Sequence, residues 1–553
     1  MNMERPRKYA DLAPRDASPT LTFDLPELQY PERLNAVQAV FDAAREAGWS
    51  DRTVFYADSE AWSFDRVEKE SARYAAALRA MDVGVGDTVI LRIPDTIDLV
   101  MSLLAVQAIG AIAVPTYIQL RRDDLVYRAE DADAKLILSS PDLLEEALPV
   151  PDARDGKTTV VALPSDPERR CGDFADFLPD GDVAPDYADT HAEELCLFLY
   201  TSGSTGAPKG TIHCHRDMLA IADSYWRYCL APGPDDVMAG PPSIAFALGF
   251  GMYVYFPLRL GHAAVLEPDK SPEKSLEIIE QYNVTIFAGV VSYYNVLARL
   301  IGETGADVSS IVHPMTGGEP LTEEVERSWL ETTGKPLEQF IGTTEMLHCF
   351  VTSTRPDGPP HSSTIGHTVP GYDVRVVDPD TFEELPDGEQ GLFATRGPTG
   401  TVYWKKPDHQ KELVRDGWNV FQDLVWRDEH GDFHYIARHD DMIISSGYNI
   451  SPVQVENVLM QHDAVQECAC VPAPDATGKR GHVVKAYVVA SAGRDGNDAL
   501  ITELQDYVKS NAAPYMYPRV ISFESELPKT INGKILRSEL RARAISDGGG
   551  NNS

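Results

Sequence analysis

The sequence predicts an α/β protein with a large N-terminal domain of mostly parallel βαβ sheets, a small antiparallel section, and a small α+β C-terminal domain. Three observations support this prediction. Helical and β-branched stretches alternate from about residue 52 to 320, which is typical of βαβ units. From about 364, short strands are separated by turn residues. From 442 onward, helices and strands follow each other again and could form a separate domain.

The first 50 residues are rich in proline and predict a wrapping arm and a first helix over about 35–47. Two longer helices are then predicted at Phe64–Met81 and Leu99–Ile109. The apolar run 99–114 contains Ser, Gln and Gly, so it predicts a buried helix running into a strand and is short for a membrane span. Short β-branched runs predict buried strands at Asp87–Ile93, Lys135–Leu138, Thr158–Val161, Val284–Phe287 and Ser310–His313.

In the second half of the chain, the predicted elements are first short strands separated by turns. Strands are predicted at Tyr372–Asp378, Gly391–Thr395 and Phe433–Ile436, with turn signals such as Pro386-Asp387-Gly388 between them. The C-terminal segment predicts two helices and two strands: Pro452–Gln461, Glu467–Pro472, His482–Ala490 and Asp498–Ala512. The Gly/Asn-rich tail Asp547–Ser553 is expected to be disordered.

The charge balance narrows the classes of function. Asp and Glu number 85 against 49 Lys and Arg, which gives a net charge of −36. Partners such as nucleic acids and anionic membranes are therefore disfavoured. Only 16 of the 49 basic residues are lysines. A carboxylate-rich, lysine-poor surface suits a salt-rich, halophilic cytosol; the alternative is an acidic soluble enzyme of ordinary origin.

Seven cysteines are scattered through the chain, and no CxxC pair occurs. We expect reduced, buried thiols in a reducing compartment. The opening residues are polar and charged, unlike a signal peptide. These features together predict a cytoplasmic protein.

The strongest local motif is Tyr200-Thr-Ser-Gly-Ser-Thr-Gly-Ala-Pro-Lys-Gly210, which follows the apolar run Leu195–Leu199. Small residues allow backbone N–H groups to surround an anion, and the hydroxyl groups add further donors. Lys209 supplies a positive charge. The spacing differs from that of a Walker A loop. The motif therefore predicts a phosphate-binding loop of another type.

This motif resembles the phosphate loop of the acyl-adenylate-forming (AMP-binding) enzymes, and the resemblance spans roughly residues 50–540. Further segments match in the expected order: Gly317-Gly318-Glu319-Pro320, Ile341-Gly-Thr-Thr-Glu-Met-Leu-His348, Asp423, Ala437-Arg-His-Asp-Asp-Met-Ile443, Ser446-Gly-Tyr-Asn-Ile450 and Pro528-Lys-Thr-Ile-Asn-Gly-Lys-Ile535. The resemblance implies an acyl-CoA synthetase that uses ATP, Mg²⁺ and CoA. Within the family, the chain is most similar to the benzoate-CoA and 2-aminobenzoate-CoA ligases.

The resemblance also implies roles for individual residues. The expected nucleotide contacts are Thr201, Ser202, Gly203, Ser204, Thr205, Gly206, Lys209, Gly318, Glu319, Pro320, Gly342, Asp423 and Arg438. Asp423 is assigned to the ribose hydroxyls, which a carboxylate can accept. The chain has Phe421-Gln422-Asp423 where the family usually has Thr-Gly-Asp.

The expected chemistry is attack of a carboxylate on the α-phosphate of ATP, which gives an acyl adenylate. Negative charge gathers at the phosphate in the transition state, and a divalent cation and a lysine are the expected stabilising groups. The resemblance assigns Glu345 to the metal ion, Thr344 to the α-phosphate and Lys534 to catalysis.

In the family, a mobile C-terminal lid rotates before the acyl group passes to CoA. The corresponding division of this chain is 1–438 for the N-terminal domain, 439–441 for the hinge with Asp440 as pivot, and 442–546 for the lid. Gly447 is expected to line the pantetheine tunnel. Arg519, Lys479 and Arg480 are candidates for the CoA phosphates.

The acid pocket is expected between residues 245–251 and the residues that follow Glu345. Phe246, Ala247, Leu248 and Gly249 form an apolar stretch that suits a flat aryl ring and could also take a medium-chain acyl group. His348 is the candidate for a hydrogen bond or ion pair with the substrate carboxylate.

Two other classes of function stay open at this point. An adenylation enzyme that loads a carrier protein or an amino acid would usually hold the substrate amine with an Asp, whereas residues 245–251 are apolar. A nucleotide sensor without activity would not need Lys534, Glu345 and Asp423 together. The expected partners are small molecules, and the expected assembly is a monomer or a homodimer.

Overall fold

Two large, mostly parallel sheets form the N-terminal part of the protein. The computed structural model describes residues 8–9, 12–201, 208–355, 364–445, 448–475, 482–513, 515–529 and 535–549. Helices of this part cover Ala36–Glu46, Phe64–Ala80, Ile97–Ala108, Arg122–Asp131, Leu144–Ala147, Val150–Ala153, His215–Ile221, Ala222–Leu230, Ala247–Phe250, Gly251–Tyr255, Phe256–Leu260, Pro272–Tyr282, Val291–Thr304, Glu323–Thr333 and Pro407–Leu413.

The first large sheet has seven strands. Their spatial order is Gly172–Asp173, Thr159–Ala162, Ala134–Ser139, Thr88–Arg92, Ile112–Pro115, Leu195–Thr201 and Lys209–Cys214. All neighbours are parallel except the last two strands, which form an antiparallel hairpin. The parallel strands are buried and rich in β-branched residues, as expected for a sheet covered on both faces.

The second large sheet has nine strands. Their order is His367–Thr368, Cys349–Thr352, Glu338–Gly342, His313–Gly317, Ile286–Gly289, Val237–Ala239, Ala263–Leu266, Thr53–Ala57 and Glu60–Ser63. The six strands from Glu338–Gly342 to Thr53–Ala57 are parallel to their neighbours. Two of these strands begin later than predicted, at 286 and 313. They end in glycines, which give no β-branched signal but still pair in the ladder.

The Ile97–Ala108 helix is apolar around its circumference and almost entirely buried. It leads into the Ile112–Pro115 strand, which confirms the predicted buried helix followed by a strand. None of the helices in the described ranges is long and apolar enough to cross a bilayer.

The predicted antiparallel section is confirmed. It consists of the strands Asp373–Val377, Gly391–Arg396, Trp418–Arg427, Val414–Arg415 and Phe433–Arg438. The neighbours pair antiparallel throughout.

The C-terminal segment builds an α+β unit, as predicted. A hairpin of Ile443–Ser445 and Tyr448–Ile450 precedes a three-stranded sheet of Val465–Pro474, His482–Ala490 and Val520–Glu524, with helices Pro452–Met460, Asp498–Asn511 and Arg537–Gly549. Its apolar side chains form their own buried cluster, around Val455, Leu459 and Leu504.

A buried ion pair ties the last helix to this unit. The Arg537 guanidinium donates to the carboxylate of Glu456 at 2.7 Å, and the same carboxylate accepts from the Cys470 backbone N–H at 2.6 Å. The last helix extends through residue 549, and Lys485 Nζ pairs with Asp547 Oδ2 at 2.7 Å within the segment that was expected to be disordered. The rest of that segment, 550–553, lies outside the described residues.

The cysteines agree with the expectation of reduced thiols. All seven are free, and six are buried, whereas Cys171 is half-buried.

Candidate active site

The carboxyl edge of the nine-stranded sheet forms the base of the candidate site. Chain order along the sheet reverses between the strands Val237–Ala239 and Ile286–Gly289, and ligands of such sheets bind in the crevice at this point. Gly240 is required here, because a Cβ would lie 2.0 Å from the carbonyl oxygen of Ala288 and φ is +146°. The predicted acid-pocket segment 245–251 follows directly, so the topology places it beside the crevice.

The predicted phosphate loop joins the two antiparallel strands at the edge of the seven-stranded sheet. Thr201 pairs with Lys209 at the end of this hairpin from which the loop leaves. Ser202, Gly203, Ser204, Thr205 and Gly206 lie outside the described residues. Lys209 Nζ lies 5.6 Å from the ring centre of Tyr403.

Residues 343–347, which we call the Glu345 turn, follow the strand Glu338–Gly342. The backbone N–H of Met346 donates to Thr343 Oγ1 at 3.2 Å, and that of Leu347 donates to the Thr344 carbonyl at 3.1 Å. Leu347 has a φ of +64°, a backbone region that costs a branched residue energy. The turn is therefore tight, and its conformation is imposed by the surrounding contacts.

Glu345 is half-buried and is held on one side only. The Tyr403 hydroxyl donates to Oε1 at 2.7 Å, and Oε2 makes no hydrogen bond within the described part of the chain. Carboxylate and hydroxyl oxygens are the ligands that Mg²⁺ prefers, usually one or two from the protein with phosphates and water completing the shell. The free oxygen and the neighbouring threonines therefore fit a magnesium ion. The described residues contain no cluster of three or more His, Cys, Asp or Glu side chains that would make a closed metal cage.

The predicted ribose residues face each other across two strands. Asp423 and Arg438 are opposite in the antiparallel ladder, and the Tyr435 hydroxyl donates to Asp423 Oδ1 at 3.3 Å. Burial, and then the charge of Asp423, raises the pKa of Tyr435 well above its usual range. Phe421 stands where the family usually has Thr. In this structure it is buried and stacks on Phe350, with ring centres 5.6 Å apart.

The predicted adenine segment follows the strand His313–Gly317. Gly318 has a φ of +81°, which favours glycine. The Glu319 carboxylate accepts from the backbone N–H of Ser292 at 3.0 Å. Because that N–H lies at the start of the Val291–Thr304 helix, the negative charge is also stabilised by the helix dipole. Glu319 thus has a structural partner in addition to its expected place beside the nucleotide.

The predicted pocket segment 245–251 enters a short helical turn at Ala247–Phe250, with Phe246 just before it, and continues into the π-helical turn Gly251–Tyr255. Ala247 and Gly249 are buried, while Phe246 and Leu248 are half-buried. The Phe246 ring lies 5.6 Å from that of Tyr117.

His348 lies inside an aromatic cluster and is only 4% exposed. Its ring centre is 4.6 Å from Phe256, 5.5 Å from Tyr225 and 6.3 Å from Phe340. Within the described residues, neither ring nitrogen makes a hydrogen bond of ordinary geometry, although the Leu248 backbone is close enough to oppose the effect of burial on the His348 pKa. Burial lowers the pKa of the His348 imidazole to about 3, so the ring is neutral at physiological pH. A hydrogen bond to a substrate remains open to it, whereas an ion pair is disfavoured.

Several predicted residues lie outside the described set. These are Lys534, Gly447, Lys479, Arg480 and the side chain of Asp440. The described residues on either side of 530–534, Lys529 and Ile535, form an isolated antiparallel bridge. Arg519 donates to the Tyr517 hydroxyl at 2.5 Å.

Sequence reasoning missed Tyr403 and His213. Tyr403 lies 58 residues from Glu345 in the chain, and no spacing rule connects them. The buried His213 contacts the Thr344 carbonyl through Nε2 at 3.0 Å. It belongs to the strand after the phosphate loop, where an alternating pattern predicts burial but no partner.

The comparisons with known proteins agree with this geometry. The family described as AMP-binding enzyme matches residues 41–404, and the AMP-binding enzyme C-terminal domain matches residues 454–534. A benzoate–CoA ligase of Thauera aromatica is 32% identical over 525 residues, 94% of this chain and 97% of that protein. The human mitochondrial acyl-coenzyme A synthetase ACSM3 is 30% identical over 497 residues, 87% of this chain and 83% of that protein.

A comparison with a solved structure points to the same family. The anthranilate CoA ligase AuaEII in complex with anthranoyl-AMP superimposes with a TM-score of 0.88 at 28% identity, covering 95% of this chain and 99% of that one. The chain therefore belongs to the family of AMP-binding enzymes, and within it to the acyl-CoA synthetases.

Proposed function

We propose that the acid activated by this AMP-forming acid–CoA ligase is aromatic, of the benzoate or 2-aminobenzoate type. In the first half-reaction a carboxylate oxygen attacks the α-phosphorus of ATP, and pyrophosphate leaves. In the second, the CoA sulfur attacks the acyl carbon and AMP leaves. The relatives include the benzoate–CoA ligase of Thauera aromatica, which supports the proposal.

The residues take the following parts in this reaction. The phosphate loop and Lys209 bind the phosphates, Asp423 and Arg438 hold the ribose, and Thr344 orients the α-phosphate. Magnesium, held by Glu345, neutralises phosphate charge when bound. Lys534 stabilises the charge that gathers during adenylation.

The single observation that carries the choice of acid is the environment of His348. A buried polar atom without a partner is rare in a native protein and calls for an explanation. A neutral imidazole can donate one hydrogen bond and accept another. The two ring nitrogens point in divergent directions, so one substrate uses one of them: either its carboxylate accepts from the N–H, or an ortho amino group donates to the other nitrogen. The aromatic wall around His348 suits a flat ring, which loses little entropy on binding.

The second candidate is a straight-chain acyl group. The match to the human acyl-CoA synthetase favours it. Such a chain would leave part of a flat slot unfilled, at about 0.8 kcal/mol per methylene-sized gap.

The two candidates are separated by a panel of acids. With ATP and CoA saturating, we expect kcat/KM for benzoate or 2-aminobenzoate to exceed that for hexanoate by about tenfold or more, equivalent to about 1.4 kcal/mol. Hexanoate as the better substrate would move the chain to the medium-chain acyl-CoA synthetases. Omitting CoA should leave acid-dependent pyrophosphate release as a slow or single-turnover reaction.

The role of His348 is tested by two substitutions. His348→Phe keeps the packing against Phe256 and removes both nitrogens, whereas His348→Ala also opens a cavity. Both should raise the KM for aryl acids more than the KM for ATP. An unchanged acid KM in His348→Phe would assign the histidine to the core alone.

We also propose the division into 1–438, a hinge at 439–441 and a lid at 442–546. The family matches fall on either side of this hinge, and the C-terminal unit has its own apolar cluster. In the hinge, Asp441 Oδ1 accepts from Arg541 at 2.6 Å. A cytoplasmic location is proposed from the seven free cysteines.

A further inference from the structure

We infer that Tyr403 is a positioning residue for the metal carboxylate: its hydroxyl holds Oε1 of Glu345 so that Oε2 is presented to the magnesium ion. This inference rests on the proposed function, because it takes Glu345 as the metal ligand. Groups that hydrogen-bond to a metal-binding carboxylate and fix its orientation often affect metal affinity or activity nearly as much as the carboxylate itself. Here the orienting group comes from a distant part of the chain.

Tyr403 is itself rigidly fixed. It is 8% exposed, and its segment runs antiparallel to the strand that follows the phosphate loop, with Tyr403 opposite Thr211. On either side, Ile212 N donates to Val402 O at 3.1 Å and Trp404 N donates to Gly210 O at 2.8 Å. The Tyr403 backbone N–H donates to Gln410 Oε1 at 2.9 Å. The hydroxyl therefore has a defined position relative to the phosphate loop.

The backbone on both sides of Glu345 is held as well. The carbonyl before it, of Thr344, contacts His213 Nε2 at 3.0 Å, and the carbonyl after it, of Met346, accepts from Thr399 Oγ1 at 2.8 Å. With both neighbouring carbonyls fixed, the remaining freedom of Glu345 is the rotation of its side chain. The bond from Tyr403 at 2.7 Å removes that freedom.

The Tyr403 hydroxyl can donate because a phenol is protonated at physiological pH. The face of the same ring lies under Lys209 Nζ at 5.6 Å, within the distance of a cation–π contact. Tyr403 thus lies between the cation of the phosphate loop and the carboxylate of the Glu345 turn.

The test measures nucleotide binding and needs no turnover. Isothermal titration calorimetry of ATP, without acid, is performed with Mg²⁺ and with a chelator. We expect Tyr403→Phe to weaken ATP binding about tenfold with Mg²⁺, which corresponds to about 1.4 kcal/mol. Binding in the chelator should not change. An equal loss with and without Mg²⁺ would overturn the inference.

A matched control is Tyr435→Phe, because Tyr435 is a half-buried tyrosine that also donates to a predicted site carboxylate, Asp423. Its loss should be the same with and without Mg²⁺, since it acts on the ribose side. A magnesium-specific loss in Tyr435→Phe as well would contradict a role special to Tyr403.

A double-mutant cycle tests whether Tyr403 acts through Glu345. Adding Tyr403→Phe to Glu345→Gln should cost nothing further, because the held carboxylate is already gone, whereas additive losses would refute the coupling. If the wild-type protein gains no affinity from Mg²⁺, Glu345 is not the metal ligand and this inference falls. The choice of an aromatic acid is judged separately by the acid panel.

Discussion

The substitution Gly342→Ala, which adds one methyl group, tests how firmly the Glu345 turn is held in its conformation. A Cβ there would lie 2.4 Å from the His348 carbonyl oxygen, and ordinary contact begins at 3.4 Å. One of the two backbones must therefore move by about 1 Å, the difference between these distances. The residues meet in a ladder where Gly342 pairs with Cys349, so the Glu345 turn between them has to absorb the shift.

The expected effect is large on the rate and smaller on stability. Misplacing catalytic groups by about 1 Å can cost about 10²-fold in rate, and overpacking typically costs about 1–3 kcal/mol. We expect Gly342→Ala to lower kcat for acid-dependent pyrophosphate release about 100-fold while the protein still folds. The assay is continuous pyrophosphate detection with ATP and acid saturating.

The matched control is Gly302→Ala, in the Val291–Thr304 helix. A Cβ there meets nothing within 4 Å, so activity should equal that of the wild type. The helix should gain about 0.5–1 kcal/mol from alanine. A Gly342→Ala variant within twofold of wild-type kcat would refute the reasoning, since the turn would then tolerate the displacement.

Three further predictions concern charge and protonation. Lys534→Ala should slow adenylation by about 10²–10⁴-fold, yet pre-made acyl adenylate should still be converted to the CoA thioester; an equal loss in both steps would contradict this division. Stability should rise from dilute buffer to molar KCl, where the Debye length is about 3 Å, because the net charge is −36; a flat melting temperature would argue against salt adaptation. Burial lowers the pKa of His215 and His348 to about 3 and of His262 to about 4. The unfolded chain therefore binds more protons below its histidine pKa of about 6.5, and stability should fall by up to about 4 kcal/mol per pH unit as the pH drops from 6.5 towards 4. Urea unfolding at pH 7.5 and 5.5 checks this, and equal midpoints would contradict it.

Much of the fold could be predicted because the strands of a parallel sheet carry their own signal. The runs at 87–93, 135–138 and 158–161 are β-branched and buried on both faces, and the structure places strands there. The two strands that end in glycine were predicted too early in the chain. Gly289 and Gly317 take part in the hydrogen-bonded ladder but add nothing to the side-chain pattern from which strands are predicted. Strand order in space was not predictable, since it depends on contacts between residues far apart in the chain.

The residues of the candidate site likewise fall into two groups, those that the sequence predicted and those that it missed. Glu345 could be named because it belongs to a short motif, and Asp423 because it stands where the family has its ribose-binding Asp. Tyr403 and His213 could not, because their partners are chosen by the packing of separate strands, and a tyrosine on a buried strand is usually a core residue. Two roles were expected for His348, a hydrogen bond or an ion pair; the ion pair depended on its charge, and burial decides that charge only after the fold is known.

The proposed acid pocket has few positions at which its shape can be changed. At Gly249 a Cβ would lie 2.2 Å from the Ser243 carbonyl oxygen, and at Gly251 it would lie 2.6 Å from the His348 ring. These glycines are fixed by close approach, so they cannot be replaced to reshape the pocket. Phe246 and Leu248 are half-buried and belong to the same segment. Because a partly exposed side chain can change volume with less strain than a buried one, differences in acid preference between this chain and its relatives should concentrate at these two residues.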